Sequence, residues 1–390
     1  MIHYLPLNND PIKRIDIHDP VYKTTIPLTK DDVAPAHKWN FDQRGMNFNK
    51  DLGFKGKYCY HPFNTITVDS DGDVYVCVCQ AWLPISVGKI WDFDRLEDTV
   101  RGPVAREIQA SIIDGTYRYC DQNSCGIIQT DLLETKIAHR SDSVNWINFA
   151  IDPSCNLTCP SCRTEFKFLS EGPEFDKRIR IVDHMVGLIE NHDQFIKFTL
   201  SGDGDPFASL IYRNLLTKLN LENNTQTEIE IVTNGQLIKA FWDKMQGIHK
   251  NVVRFKISFD AASESVYNKT RRGGDWNKLI ENSKYIVSWR KATGIDMTLC
   301  ANFVVQTANY RDMLNYVRLC DSLGFDEIMF QKIVDWSTFD KFDDHAIWKN
   351  THPEHQKFLK ILHDPLLENK KVCLTNLGYI KNDSIKPSKE

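Results

Sequence analysis

The chain has 390 residues, 42% hydrophobic and 26% charged, and its 48 lysines and arginines against 52 aspartates and glutamates leave a formal net charge of -4. That length suits two or three ordinary domains with a sizeable core, and so even a charge balance supplies no positive field to gather nucleic acid or anionic lipid. The first twenty residues lack a basic region followed by an apolar stretch, and no apolar run approaches the roughly 18 residues of a membrane span. The expectation is a cytoplasmic protein with neither nucleic acid nor membrane as partner.

In chain order, residues 1–55 are rich in Asn, Asp, Pro and Lys with scattered aromatics, which predicts an extended, irregular arm. Residues 56–140 form a small cysteine-rich unit. In it "TITVDSDGDVYVCVC" alternates apolar residues on either side of the turn formers Ser70, Asp71, Gly72 and Asp73, a hairpin pattern, and "RGPVAREIQASIIDG" reads as helix. From 141 to 340 the rhythm is strand, loop, helix, repeated. "NWINFAID", "KFTLSG", "IEIVTN", "VRFKISFD", "TLCANFVV" and "EIMFQKI" are strand-like, and amphipathic helices such as "RIRIVDHMVGLIEN" and "NYRDMLNYVRLCDSLG" lie between them. Six alternations predict an α/β fold of parallel strands with crossover helices, either an open doubly wound sheet or a partly closed barrel. In both, chemistry gathers in loops at the carboxyl ends of the strands. Residues 341–390 are a C-terminal extension with a polar tail.

The chain has eleven cysteines, many for a compartment where disulfides are rare and clustered thiols more often hold metal or do chemistry. Three of them, Cys155, Cys159 and Cys162 in "DPSCNLTCPSCRTEF", follow the first strand with no fourth beside them. A structural zinc site is closed by four ligands. A four-iron cluster held by three thiolates instead keeps one iron open for a substrate to chelate. Cys155-x-x-x-Cys159-x-x-Cys162 after a first strand resembles the radical S-adenosylmethionine (SAM) superfamily. The resemblance implies a partial (β/α)6 barrel, a 4Fe-4S cluster whose open iron binds the amino and carboxylate groups of SAM, and reductive cleavage of SAM to methionine and a 5'-deoxyadenosyl radical. "LSGDGDP" is similar to the family's glycine-rich loop after the second strand, with Gly204 and Asp205 the best matches for the SAM amino group and Asp203 a second choice. "VTNG" resembles the third-strand segment and suggests Asn234 near the ribose. "ISFDAASESVYNKTRRGGDW" resembles the fourth, so that Ser258 and Asp260 face the ribose and Arg271 or Arg272 pairs with the SAM carboxylate, a task suited to the guanidinium fork. The family usually carries an aromatic residue just before the third cysteine, where this chain has Ser161.

The spacing of Cys59, Gly72 and Cys77 resembles the start of the SPASM and twitch auxiliary-cluster domains of that superfamily, and Cys120 and Cys125 would complete a four-thiolate site; the resemblance implies a single further 4Fe-4S cluster there. Cys79, alternating with Cys77, is expected on the opposite face of a regular strand. Such domains normally follow the barrel and carry seven cysteines, whereas this one precedes it and has five. A zinc ribbon also satisfies four thiolates at hairpin ends.

Enzymes with these modules act frequently on ribosomally made peptides, so the resemblance implies a peptide substrate with a leader and an external electron donor such as flavodoxin or ferredoxin. Cys300 and Cys320 read as core thiols. Cys373 lies beyond the barrel, where the chain can fold back over the active face, and is the candidate hydrogen-atom donor of an L-to-D peptide epimerase. Oxidative cross-linking and a non-catalytic electron carrier or SAM-binding protein are the other readings. His352 and His355 read as surface histidines at a helix start.

Overall fold

The computed structural model describes residues 20, 26–34, 47–123, 125–129, 133–135, 143–200, 204–219, 221 and 226–383; most of the N-terminal arm, Asp203 and the polar tail lie outside them. Ten strands are described: Thr65–Asp69 (β1), Asp73–Tyr75 (β2), Gly88–Lys89 (β3), Trp146–Ala150 (β4), Ile196–Leu200 (β5), Thr227–Thr233 (β6), Val252–Ser258 (β7), Thr298–Val305 (β8), Glu327–Lys332 (β9) and Val372–Cys373 (β10). They form one sheet in the order β10-β9-β8-β7-β6-β5-β4-β1-β2-β3.

Strands β4 to β9 are parallel throughout, each followed by helical segments, which makes the partial (β/α)6 barrel. One face of each strand packs on helices. Ile147 and Phe149 of β4, Phe198 of β5, Phe303 of β8 and Phe330 of β9 are no more than 1% exposed, and the rings of Phe303 and Phe330 both meet Tyr316 of helix Met313–Leu323. Helix Pro173–Glu190 buries Ile181, Val182, Met185, Leu188 and Ile189, a stripe of 3.6-residue period that its neighbours cover. Asp275 accepts from the Lys278 backbone to start helix Trp276–Thr293, and Gly294 in the left-handed region ends it.

The other face lines the lumen, and it is polar. Lys197, Glu230 and Lys256 form a linked set of ion pairs across β5, β6 and β7, and Arg254 of β7 pairs with Glu327 of β9. Cys300 belongs to this face rather than to the helix side, with its Sγ 3.6 Å from Arg254. The lumen explains why the run "TLCANFVV" is not uniformly apolar.

The hairpin β1–β2 turns at Gly72, whose φ of 75° and near contact with the Trp91 ring, 2.6 Å from where a Cβ would sit, require glycine. β1 then pairs in parallel with β4 from Thr65↔Trp146 to Asp69↔Ala150, so the cysteine-rich unit continues the barrel sheet at its first strand. This sets the two cysteine groups at opposite ends. Cys155 follows β4, whereas Cys59 precedes β1 and Cys77 follows β2, which returns antiparallel. The unit reaches the far side as well: Lys332, at the end of β9, donates to Gln129 Oε1 at 2.7 Å.

Three local expectations differ from the fold. Cys77 and Cys79 lie beyond the end of β2, so strand alternation does not govern them. Cys373 sits in the two-residue edge strand β10 beside β9, not in a segment laid over the strand ends. His352 and His355 are each 8% exposed, tied to Thr307 and to the Ile347 carbonyl. Among the described residues no helix is long and apolar enough to cross a membrane.

Candidate active site

The loop after β4 carries Cys155 and Cys159, both buried, and Cys162, which is exposed. Its backbone is held from below by Asp152, fully buried, whose carboxylate takes Arg178 at 2.7 Å, Ser154 at 3.0 Å and Ser209 at 2.5 Å. It is held from the side by Gly204. A Cβ there would lie 2.4 Å from the Ser154 carbonyl oxygen and 2.5 Å from that of Asp152, so the loop after β5 can press against the cysteine loop only with glycine. The neighbouring Asp205 is 1% exposed. Its carboxylate accepts the backbone N–H groups of Phe207, Ala208 and Asn234 and the Thr233 hydroxyl. Four acceptor sites are thereby occupied, and the side chain acts as a tie between the loops after β5 and β6.

Two nitrogen donors point at the thiols. Asn234 Nδ2 lies 3.6 Å from Cys155 Sγ while donating to Asn156 at 2.9 Å, and Arg271 Nη1 lies 3.9 Å from Cys159 Sγ. Arg271 also pairs with Asp260 at 2.8 Å, and its buried Nε has no partner among the described residues. Arg272 faces outward, with its Nε on the Thr158 carbonyl at 3.1 Å and its own carbonyl accepting from Thr158 N at 3.0 Å. The two arginines thus divide: one turns to the sulfurs, the other clamps the loop that carries them. Asp260, in a left-handed conformation with φ 55°, also accepts from Val304 N at 2.7 Å. Burial pushes the Cys155 thiol up to about 12, with Asp205 adding to the effect, and raises Cys159 against the pull of Arg271. Bare thiols are therefore protonated here, and a bound metal centre would supply the positive charge that thiolates need.

At the other end of the barrel Cys59, Cys77, Cys120 and Cys125 line one cavity of about 20 Å³ together with His61, Trp82, Tyr117 and Ile127. Cys79 is not among its walls. Burial raises all four thiols, Cys59 to about 12; neighbouring thiols of the set add to the rise of Cys59, Cys77 and Cys120, and Asp121 to that of Cys125. Burial likewise lowers His61 to about 4, so a neutral imidazole faces the thiols. Among the described residues no group of three or more His, Cys, Asp or Glu side chains closes as tightly as one metal ion requires; a four-iron cube holds its thiolates further apart. Four soft sulfur donors around one apolar cavity fit an iron-sulfur cluster, and three on a loop with an exposed edge fit a cluster with one open iron.

A third arrangement escaped the sequence reading. Paired residues of neighbouring strands share a face, and Ser258 pairs with Asn302, Asn302 with Met329, and Met329 with Cys373. One lumen row thus links Ser258 to Cys373. The rows descend across the barrel, since the row from Phe149, next to last in β4, passes Leu200, Ile231 and Phe255 to reach Leu299, near the start of β8. Cys373 therefore sits further down the wall than Ser258. A lone asparagine in the strand "TLCANFVV" was the available signal for Asn302.

The family model described as "Radical SAM superfamily" matches residues 151–297, and SPASM, an "Iron-sulfur cluster-binding domain", matches residues 59–126, which span Cys59 to Cys125. A GTP 3',8-cyclase of Alkaliphilus metalliredigens (strain QYMF) is 24% identical over 140 residues, 36% of this chain and 42% of the cyclase, so the match spans less than half of that relative. Among solved structures, Streptococcus suis SuiB bound to the precursor peptide SuiA is 16% identical with a TM-score of 0.40, covering 63% of this chain and 53% of SuiB. anSMEcpe with bound AdoMet and Kp18Cys peptide is 18% identical with a TM-score of 0.41, covering 58% and 62%. SAM and iron-sulfur clusters are the cofactors these domains carry. Residues 151–297 thus match as a radical SAM domain, and residues 59–126 as a SPASM domain set ahead of the barrel.

Proposed function

We propose that this enzyme removes the Cα hydrogen from one residue of a ribosomally made, leader-bearing peptide and returns a hydrogen to the opposite face, converting an L residue to a D residue. The row from Ser258 through Asn302 and Met329 to Cys373 carries the reading. In this reading Cys155, Cys159 and Cys162 hold the SAM-binding cluster, and Arg271 faces the SAM carboxylate. Asn234, Ser258 and Asp260 lie on the ribose side, while Gly204 and Asp205 fix the loops around them. Cys59, Cys77, Cys120 and Cys125 hold the auxiliary cluster. When bound, the first cluster donates the electron that cleaves SAM and so supplies the hydrogen-abstracting radical.

The residues assigned to SAM sit at the strand ends and Cys373 sits down the lumen wall. A peptide Cα between those levels is open to abstraction on one side and to return on the other, the geometry that inversion needs. The Cys373 S–H gives its hydrogen atom to the substrate carbon. The sulfur radical left behind is restored by one electron and one proton from an external donor of the flavodoxin or ferredoxin class. A peptide is the bound partner named for both SuiB and anSMEcpe; the reading for this chain rests on its own lumen.

The test is the reaction of a candidate precursor peptide in deuterated water. Epimerisation adds one solvent deuterium at Cα, and Cys373→Ala ends formation of the D residue while deoxyadenosine still forms. A product lighter by two hydrogens would instead identify oxidative cross-linking, and full epimerisation by Cys373→Ala would remove Cys373 from the mechanism. No deoxyadenosine under reducing, oxygen-free conditions would leave only a carrier or binding protein.

A further inference from the structure

Asn302 stands between Ser258 and Met329 in the lumen row. It is 4% exposed, and its Oδ1 is buried with no hydrogen-bond partner among the described residues. The backbone around it is fully engaged: its carbonyl accepts the Phe259 N–H at 3.0 Å and the Tyr316 hydroxyl at 3.2 Å. Buried side-chain oxygens are ordinarily satisfied, because leaving one unpaired forfeits its hydration for nothing. Polar residues elsewhere on the lumen wall have partners. Asn148 donates to Val78 O, Thr199 accepts from Trp146, and Lys256 pairs with Glu230. Asn302 presents a bare acceptor beside the residue that leads to Cys373.

We propose that Asn302 Oδ1 accepts the backbone N–H of the substrate residue whose Cα hydrogen is removed, so that an amide-bearing substrate is read at the reacting residue itself. This deepens the peptide reading and rests on it. The bond ties that residue to β8 through its N–H, on the atom next to the carbon that loses its hydrogen. Asn302 is thus a specificity-determining residue, and a substrate lacking the N–H leaves the acceptor unpaired again, the circumstance in which a hydrogen-bonding site discriminates most strongly.

The experiment uses the full-length reconstituted enzyme and two small probes, N-acetyl-[α-²H]alanine N-methylamide and its ester counterpart in which the alanine N–H is replaced by oxygen. Deuterium recovered in 5'-deoxyadenosine counts abstraction from Cα whatever the later fate of the substrate. In the unaltered enzyme the ester transfers deuterium at least about tenfold less efficiently than the amide. In Asn302→Ala the amide falls to the level of the ester and the two become equal, while Asn302→Asp, which keeps an acceptor of the same shape, preserves a preference for the amide. SAM affinity by equilibrium binding stays within about twofold in both variants. An equal loss for both probes in Asn302→Ala, a weakened SAM affinity, or no transfer from the amide in the unaltered enzyme would each overturn the assignment. The epimerase reading fails separately, by transfer that proceeds without inversion at Cα.

Discussion

The two cysteine groups of this chain are built to opposite rules. The first places three thiols on a single loop at the strand ends, one of them exposed, with an arginine and an asparagine aimed at the sulfurs. The second gathers four thiols from three separate segments around an apolar cavity at the far end of the barrel, walled by Trp82, Tyr117 and Ile127. Sequence distance mirrors the contrast: eight positions span the first set and 67 the second. A loop with polar neighbours and an exposed edge can admit a ligand and an electron. A cavity assembled from distant segments couples metal binding to folding of the whole unit. The difference teaches that the first group is built open to a ligand and the second is built into the fold of its unit.

Substitutions sharpen or break that contrast. The largest effect is expected for Cys155→Ala, which should reduce deoxyadenosine formation to background and remove about four irons per chain while the melting temperature barely moves; unchanged iron would erase the distinction. Cys120→Ala should do the reverse to stability, costing about 3 kcal/mol in the metal-loaded protein, read by chemical denaturation. Gly204→Ala should cost about 2 kcal/mol, because its Cβ meets backbone carbonyls that cannot yield cheaply. It should also weaken SAM binding through the displaced cysteine loop. Arg271→Lys is expected to weaken SAM binding by about tenfold and Arg272→Lys by no more than about twofold, measured by equilibrium binding; equal effects would dissolve the division between the two arginines.

The smallest effect concerns the lumen. Burial alone would raise Glu230, yet Lys256 and Lys197 pull it down to about 2 from an ordinary 4.5. Its folded value is depressed, so its contribution is fully present above about pH 4.5 and fades as the pH falls toward 2. Glu230→Gln should therefore cost about 2 kcal/mol at pH 7 and progressively less below pH 4, so the stability curves of the two proteins converge in acid. A constant gap would show that the ion pairs do not set the acid response.

Much of this was legible in the sequence because its signals are local. The strand runs, the hairpin turn at Gly72 and the cysteine loop each depend on neighbours close in the chain or on a spacing that physical chemistry restricts. Asp205 and Asn234 were recognised by position, but not the ties that occupy them, since those join loops after different strands. Cys300 read as a core thiol because burial is visible in an apolar strand and the choice between lumen and helix face is not. Cys373 and Asn302 became neighbours in one row only through the register of β8, β9 and β10, which no spacing encodes.

The parallel pairing of β1 with β4 bears on synthesis. The hairpin leaves the ribosome about eighty residues before the strand that completes its edge, and its four thiols are spread from Cys59 to Cys125 across most of that interval. Until β4 emerges, β1 presents an unpaired edge, so loading of the SPASM centre and closure of the barrel become one late, slow event of long contact order. A nascent chain arrested before residue 146 should therefore be sensitive to proteases, and one extended past β4 resistant.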